Sequence, residues 1–144
     1  MASIREIADE AVRLGLDGAD AVSAFTDEEL ATMYNGTGPE FLPASVRARL
    51  DRRTVPFLPA VLIHDVDFST GDGSRAGFDA ANKRLLHNAI LCAFGAAGWK
   101  SWRRYVLLAE AWALYRACDN GGWIAWRLAA AKRFCNKDRE GNLT

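Results

Sequence analysis

Cysteine is scarce and unpaired in this sequence. Cys92, Cys118 and Cys135 are the only three among 144 residues, and none belongs to a Cys-x-x-Cys pair. An odd, scattered set argues against a disulfide framework and against a cysteine-built zinc site, although one bridge between two of the three stays open. All three fall in apolar helical patterns, where cysteine acts as a small buried hydrophobe. Net charge is lacking too. Eighteen Lys and Arg balance 18 Asp and Glu, and with no known readout motif this makes a nucleic-acid binder a poor fit. Arg, Glu or Lys interrupts every long apolar stretch, so no transmembrane helix is expected. The opening residues Met1-Ala2-Ser3-Ile4-Arg5-Glu6 lack the basic-then-apolar order of a signal peptide, and a soluble product of cytoplasmic synthesis is expected. No segment alternates as a strand, and no internal repeat or low-complexity tract occurs.

What is present is apolar residue at helical spacing. Half the chain is hydrophobic, enough for one domain with a core over residues 1–144 and too little for two. The expected fold class is all-α. Ser3 and Glu6 have capping-box spacing ahead of Ile4, Ile7, Ala8, Ala11 and Leu14, and Gly15 can end that helix. Thr26 and Glu29 repeat the signal before a helix that must end at Asn35-Gly36. Pro43 opens a short helix through Val46 and Leu50, which Thr54-Val55-Pro56 breaks. Pro59 then starts a helix from Ala60 to Phe68. Ser74 caps a long helix from Arg75 to about Ala97. Two more are expected over Ser101–Cys118 and Gly122–Cys135, split by Asp119-Asn120-Gly121-Gly122, before a polar tail.

Charge is unevenly placed. Residues 1–80 carry 14 acidic against 7 basic side chains, and residues 81–144 carry 11 basic against 4 acidic. The basic end also holds all five tryptophans, Trp99, Trp102, Trp112, Trp123 and Trp126. Tryptophan with Lys100, Arg103, Arg104 and Arg127 suits a phospholipid surface, where rings sit at headgroup depth and cations meet anionic lipid. It also suits a protein partner. The plainer expectation is that Trp102, Tyr105, Val106, Ala109, Trp112 and Ala113 form a stripe turned into the core.

Two short segments carry chemistry. Tyr34-Asn35-Gly36-Thr37-Gly38 is a glycine-punctuated loop whose carbonyls can turn toward a cation. His64-Asp65-Val66-Asp67-Phe68 places an imidazole next to a carboxylate on a helix. Val61, His64, Asp65 and Phe68 share a face there. A neutral histidine is a competent general base, and calcium takes hard oxygen ligands, backbone carbonyls among them. His87, beside Arg84 and Leu91 on a mixed face, reads as a surface histidine. Asp72, between Gly71 and Gly73, reads as part of a helix-entry turn, since an EF-hand needs a longer run of ligands.

Tyr-x-Gly-x-Gly followed by His-Asp-x-x-Tyr is the signature of the secreted-type phospholipase A2 superfamily. This chain resembles its cysteine-poor microbial, phage and parvoviral branches over about residues 30–92, leaving residues 99–135 as a helical extension. The resemblance implies an antiparallel helix pair, to which the helical patterning adds further N- and C-terminal helices. It also implies a Ca2+ site made by Tyr34, Gly36, Gly38 and Asp65, and His64 activating water at the sn-2 ester of a phospholipid. A non-catalytic module on the same scaffold, binding a membrane or a protein, is the alternative.

The chain departs from that pattern in three places. Phe68 stands where the family has tyrosine, and Pro43–Pro59 would be an insertion. The family's second helix supplies an aspartate that orients the histidine. Here the long helix carries an apolar stripe of Phe78, Ala81, Leu85, Ala89, Cys92, Ala93 and Ala96, and Asn82 lies within it. Asp79 lies off it and can pair with Lys83. Asn82 is therefore expected to face His64 as the second catalytic position, with Asp67 or Asp79 as alternatives. An amide fixes the imidazole tautomer but stabilises the imidazolium far less than a carboxylate. In the serine-protease triad, that exchange costs about four orders of magnitude in rate.

Overall fold

Three helix starts are set by side chains that accept backbone hydrogens. In the computed structural model, which describes residues 2–34 and 53–141 and side chains as far as residue 135, Ser3 Oγ accepts from Glu6 N at 3.2 Å and Glu6 Oε2 in turn accepts from Ser3 N at 2.6 Å. This capping box opens α1 (Ile4–Arg13). Gly15, at φ +63°, turns the chain out of it, a conformation that costs glycine nothing sterically. A five-residue α2 (Ala19–Ser23) follows. Thr26 and Glu29 form the second capping box, opening α3 (Asp27–Met33). Each such cap contributes about 1 kcal/mol. Arg5 binds Asp27 and the Phe25 carbonyl, so α1 holds the start of α3 in place.

A 3-10 turn (Val55–Phe57) leads into α4 (Leu58–Thr70), with Pro59 in its first turn. Ala60, Val61, Leu62, Ile63, His64 and Val66 are all buried. A helix buried along most of its length lies inside the fold, and α4 packs against α1, α3, and the two helices that follow it. The first of those is α5 (Arg75–Ala96), capped by Ser74 Oγ accepting from Gly77 N at 2.9 Å. The second is α6 (Trp102–Gly141), 40 residues long and therefore about 60 Å from end to end. The described residues are all-α, with no strand among them. Residues 43–50, where a short helix was expected, lie outside the described part.

The main core draws on every helix, from Ile7 and Ala11 through Val22, Leu30, Leu62 and Leu85 to Leu107 and Ala111. A buried amide ties its N-terminal corner down. Asn88 Oδ1 accepts from Asp17 N and its Nδ2 donates to Asp17 O, both at 2.9 Å.

The C-terminal region differs from the sequence expectation in three ways. The break at Asp119-Asn120-Gly121-Gly122 does not occur, and α6 runs straight through. Glycine costs a helix interior about 1 kcal/mol relative to alanine, and tertiary packing offsets it. A Cβ on Gly122 would lie 3.2 Å from both Phe68 and Phe78, so its absence lets α6 approach. Asp119 meanwhile lies 3.8 Å from Arg116 one turn back. Second, Trp102, Tyr105, Val106, Ala109, Trp112 and Ala113 face out, not in. The helix has two apolar stripes. The inward one, Leu107, Ala111, Trp126 and Ala130 with half-buried Leu114 and Cys118, is mostly smaller. Small side chains let helix axes come close, so the bulky stripe is left outside. Third, Cys135 is exposed where a buried hydrophobe was expected; Cys92 is buried and Cys118 half-buried, and all three are free thiols, as the scattered set suggested. Asp79 also pairs with Arg75 at 2.9 Å and not with Lys83.

Candidate active site between the two central helices

Helices α4 and α5 run antiparallel. Their contacts pair His64 with Asn82 and Phe68 with Phe78, so residue numbers rise on one as they fall on the other. The first of these contacts is polar and buried. His64 Nε2 lies 3.0 Å from Asn82 Oδ1, and the two side chains are 7% and 1% exposed. With the amide oxygen toward the ring, the imidazole must donate from Nε2, which leaves Nδ1 with the lone pair. Burial holds the His64 pKa down to about 4 against the opposing pull of the Asn82 hydrogen bond. The ring is therefore neutral at physiological pH. Phe68 packs on it with ring centroids 4.4 Å apart. The other end of the amide, Asn82 Nδ2, is buried without a hydrogen-bond partner.

Neither alternative carboxylate takes the place of Asn82. Asp67 Oδ1 accepts from Arg84 at 2.7 Å, and Arg84 reaches on to Asp17 at 3.1 Å. Burial pushes the Asp67 carboxyl up, opposed by the Arg84 charge, and its Oδ2 is buried and unpaired. Asp79 is held by Arg75.

Aromatic packing closes the end of the helix pair. Trp126 of α6 stacks edge-on against Phe68 with centroids 5.0 Å apart, and its Nε1 donates to Ser74 O at 3.0 Å. Two glycines make room for it. A Cβ on Gly71 would fall inside the indole, and one on Gly77 would lie 3.0 Å from its ring. Asp67, Arg84, Asp72 and Trp126 line a shallow pocket of about 200 Å³ here. The sequence pointed to neither the Trp126 wall nor the Asp67–Arg84–Asp17 chain. The only available signal was Gly71 and Gly77 flanking the Ser74 cap, the mark of a close approach.

Comparison of the chain with protein-family models, curated proteins and solved structures finds no match. The site is thus described by its own geometry.

The residues expected to hold calcium are split between the described and undescribed parts. Tyr34 ends α3 in extended backbone, half-buried against the core. Gly36 and Gly38 lie outside the described residues. Asp65 is half-buried on the side of α4 toward α6, where burial first and the Asp65 charge second push the Cys118 thiol up to about 11. Among the described residues no three His, Cys, Asp or Glu side chains cluster as a metal site. The donors that Tyr34 and Asp65 can offer are hard oxygens, which is the chemistry calcium prefers. His87 is exposed, as expected.

Proposed function

We propose that the chain is a calcium-dependent, phospholipase A2-like hydrolase of phospholipid sn-2 esters. The observation that carries this reading is the buried His64–Asn82 contact across an antiparallel helix pair. With Nε2 donating to Asn82, His64 Nδ1 takes a proton from water as the water oxygen bonds to the ester carbonyl carbon. The imidazolium returns that proton to the alcohol as the C–O bond breaks. Calcium, when bound, supplies positive charge at the carbonyl oxygen; Asp65 with Tyr34, Gly36 and Gly38 would hold it. Asn82 orients the ring but leaves its pKa near 4, so the base is weak and turnover is slow.

Fatty-acid release from phosphatidylcholine and phosphatidylglycerol vesicles, in calcium and in chelator, tests the reading. Release should need calcium and vanish in His64→Ala. Asn82→Asp should raise the rate at least about tenfold, since a carboxylate beside the ring favours the imidazolium. If no phospholipid is cleaved under either condition, the hydrolase reading is lost. The low imidazole pKa favours one second reading, a non-catalytic binding module on the same scaffold. Calorimetric calcium binding that disappears in Asp65→Ala, with no turnover, would select it.

A further inference from the structure

The outer face at the start of α6, with Trp99 just before it, is apolar and aromatic, and no described residue covers it. Trp99, Trp102, Tyr105 and Trp112 are 73, 76, 72 and 54% exposed. Trp102, Tyr105, Ala109 and Trp112 recur at helical spacing, so they share one face. Proteins rarely leave a contiguous patch of this kind in water without a use for it. Along this stretch of chain the exposed charge has one sign. Between Gly98 and Cys135 every exposed charged side chain is a cation: Lys100, Arg103, Arg116, Arg127 and Lys132. The two acids of that stretch, Glu110 and Asp119, are half-buried near Arg53 at 3.9 Å and Arg116 at 3.8 Å.

We infer that this face docks on an anionic phospholipid surface, with the aromatic rings at headgroup depth and Lys100 and Arg103 on the lipid phosphates. Indole and phenol rings are the side chains that partition to this depth, and each cation near an anionic leaflet adds about fivefold in affinity. The aliphatic residues farther along the outer surface, Ile124 and Leu128, favour lipid over nucleic acid, since phosphate recognition has no use for them. Pairing this face with the same face of a second copy is disfavoured, because it brings cations against cations. No helix among the described residues is long and apolar enough to cross a membrane, so the contact is with the surface. Docking does not depend on the hydrolytic reading, because none of these side chains belongs to the His64 site.

The test is co-sedimentation at low salt, in chelator, with vesicles of phosphatidylcholine alone and of an equimolar mixture with phosphatidylglycerol. The chain should bind the mixed vesicles at least about tenfold more tightly than the neutral ones. The pairs Lys100→Glu with Arg103→Glu, and Trp99→Ala with Trp102→Ala, should each weaken binding by at least about tenfold with helicity unchanged. His64→Ala should bind as well as the unaltered chain, which separates a failure of docking from a failure of hydrolysis. Equal affinity for both vesicles, or none for either, overturns the inference. So does a dimer that Trp102→Ala dissociates, or capture of a single-stranded oligonucleotide without vesicle binding.

Discussion

The inner and outer sides of α6 use the same residue types to opposite ends. Inside, Trp126 and Trp123 meet Phe68 and Phe78 at centroid distances of 5.0 to 6.1 Å, and Arg75 lies over Phe78 and Trp123. Outside, Trp99, Trp102 and Trp112 sit in water, with Lys100 over the Trp99 ring at 5.5 Å. Composition does not distinguish the two sides. What does is the packing around them: Gly71 and Gly77 hollow out a seat for Trp126, Gly122 on α6 itself lets Phe68 and Phe78 approach, and no described glycine makes such room for the outer rings. Aromatic content alone therefore says little about burial, and the glycines facing it say a good deal.

Four measurements would sharpen or break that contrast. The largest effect belongs to Trp126→Ala, which removes a ring that is 2% exposed and should cost about 3 to 5 kcal/mol in denaturant unfolding. A loss below about 1 kcal/mol would mean the seat is not a packed one. Next is pH. The folded His64 pKa, about 4, lies below the ordinary value of 6.5, so the unfolded chain binds the proton first as pH falls. The stability tied to the neutral ring is complete above pH 6.5 and drains away between 6.5 and 4, about 3 kcal/mol in all. His64→Gln should flatten that part of the profile, and an unchanged slope would show that the ring is not held neutral. Gly71→Ala comes third, forcing a methyl into the indole seat at about 1 to 3 kcal/mol. Last, Trp102→Ala should change stability by no more than about 0.5 kcal/mol; a larger loss would show that the outer face is covered in solution.

Signals confined to a few residues were legible. Both capping boxes, the Ser74 cap and the turn at Gly15 follow from local sequence, because each is completed within one helical turn. The facing of His64 and Asn82 was also legible, since a single apolar stripe on α5 fixes which way Asn82 looks. The unbroken α6 was not. A Gly-Gly pair reads locally as a stop, and only the two phenyl rings across from Gly122 make it a place of close contact. Its burial was misread for a related reason. With two apolar stripes on one helix, the choice between them depends on the shape of α5, which the local pattern of α6 does not carry. Asn88 was read only as part of a long helix, yet it supplies both hydrogen bonds that hold Asp17.

That last contact bears on how the chain opens. Asp17 sits in an exposed turn between α1 and α2, where a backbone amide would ordinarily trade its hydrogen with water quickly. Its partner is a fully buried amide on α5, so the hydrogen is released only when the corner lifts off the helix. In exchange experiments Asp17 should keep time with the core of α5 and not with its own loop. That one turn residue would then report whether the N-terminal helices and the central pair come apart together.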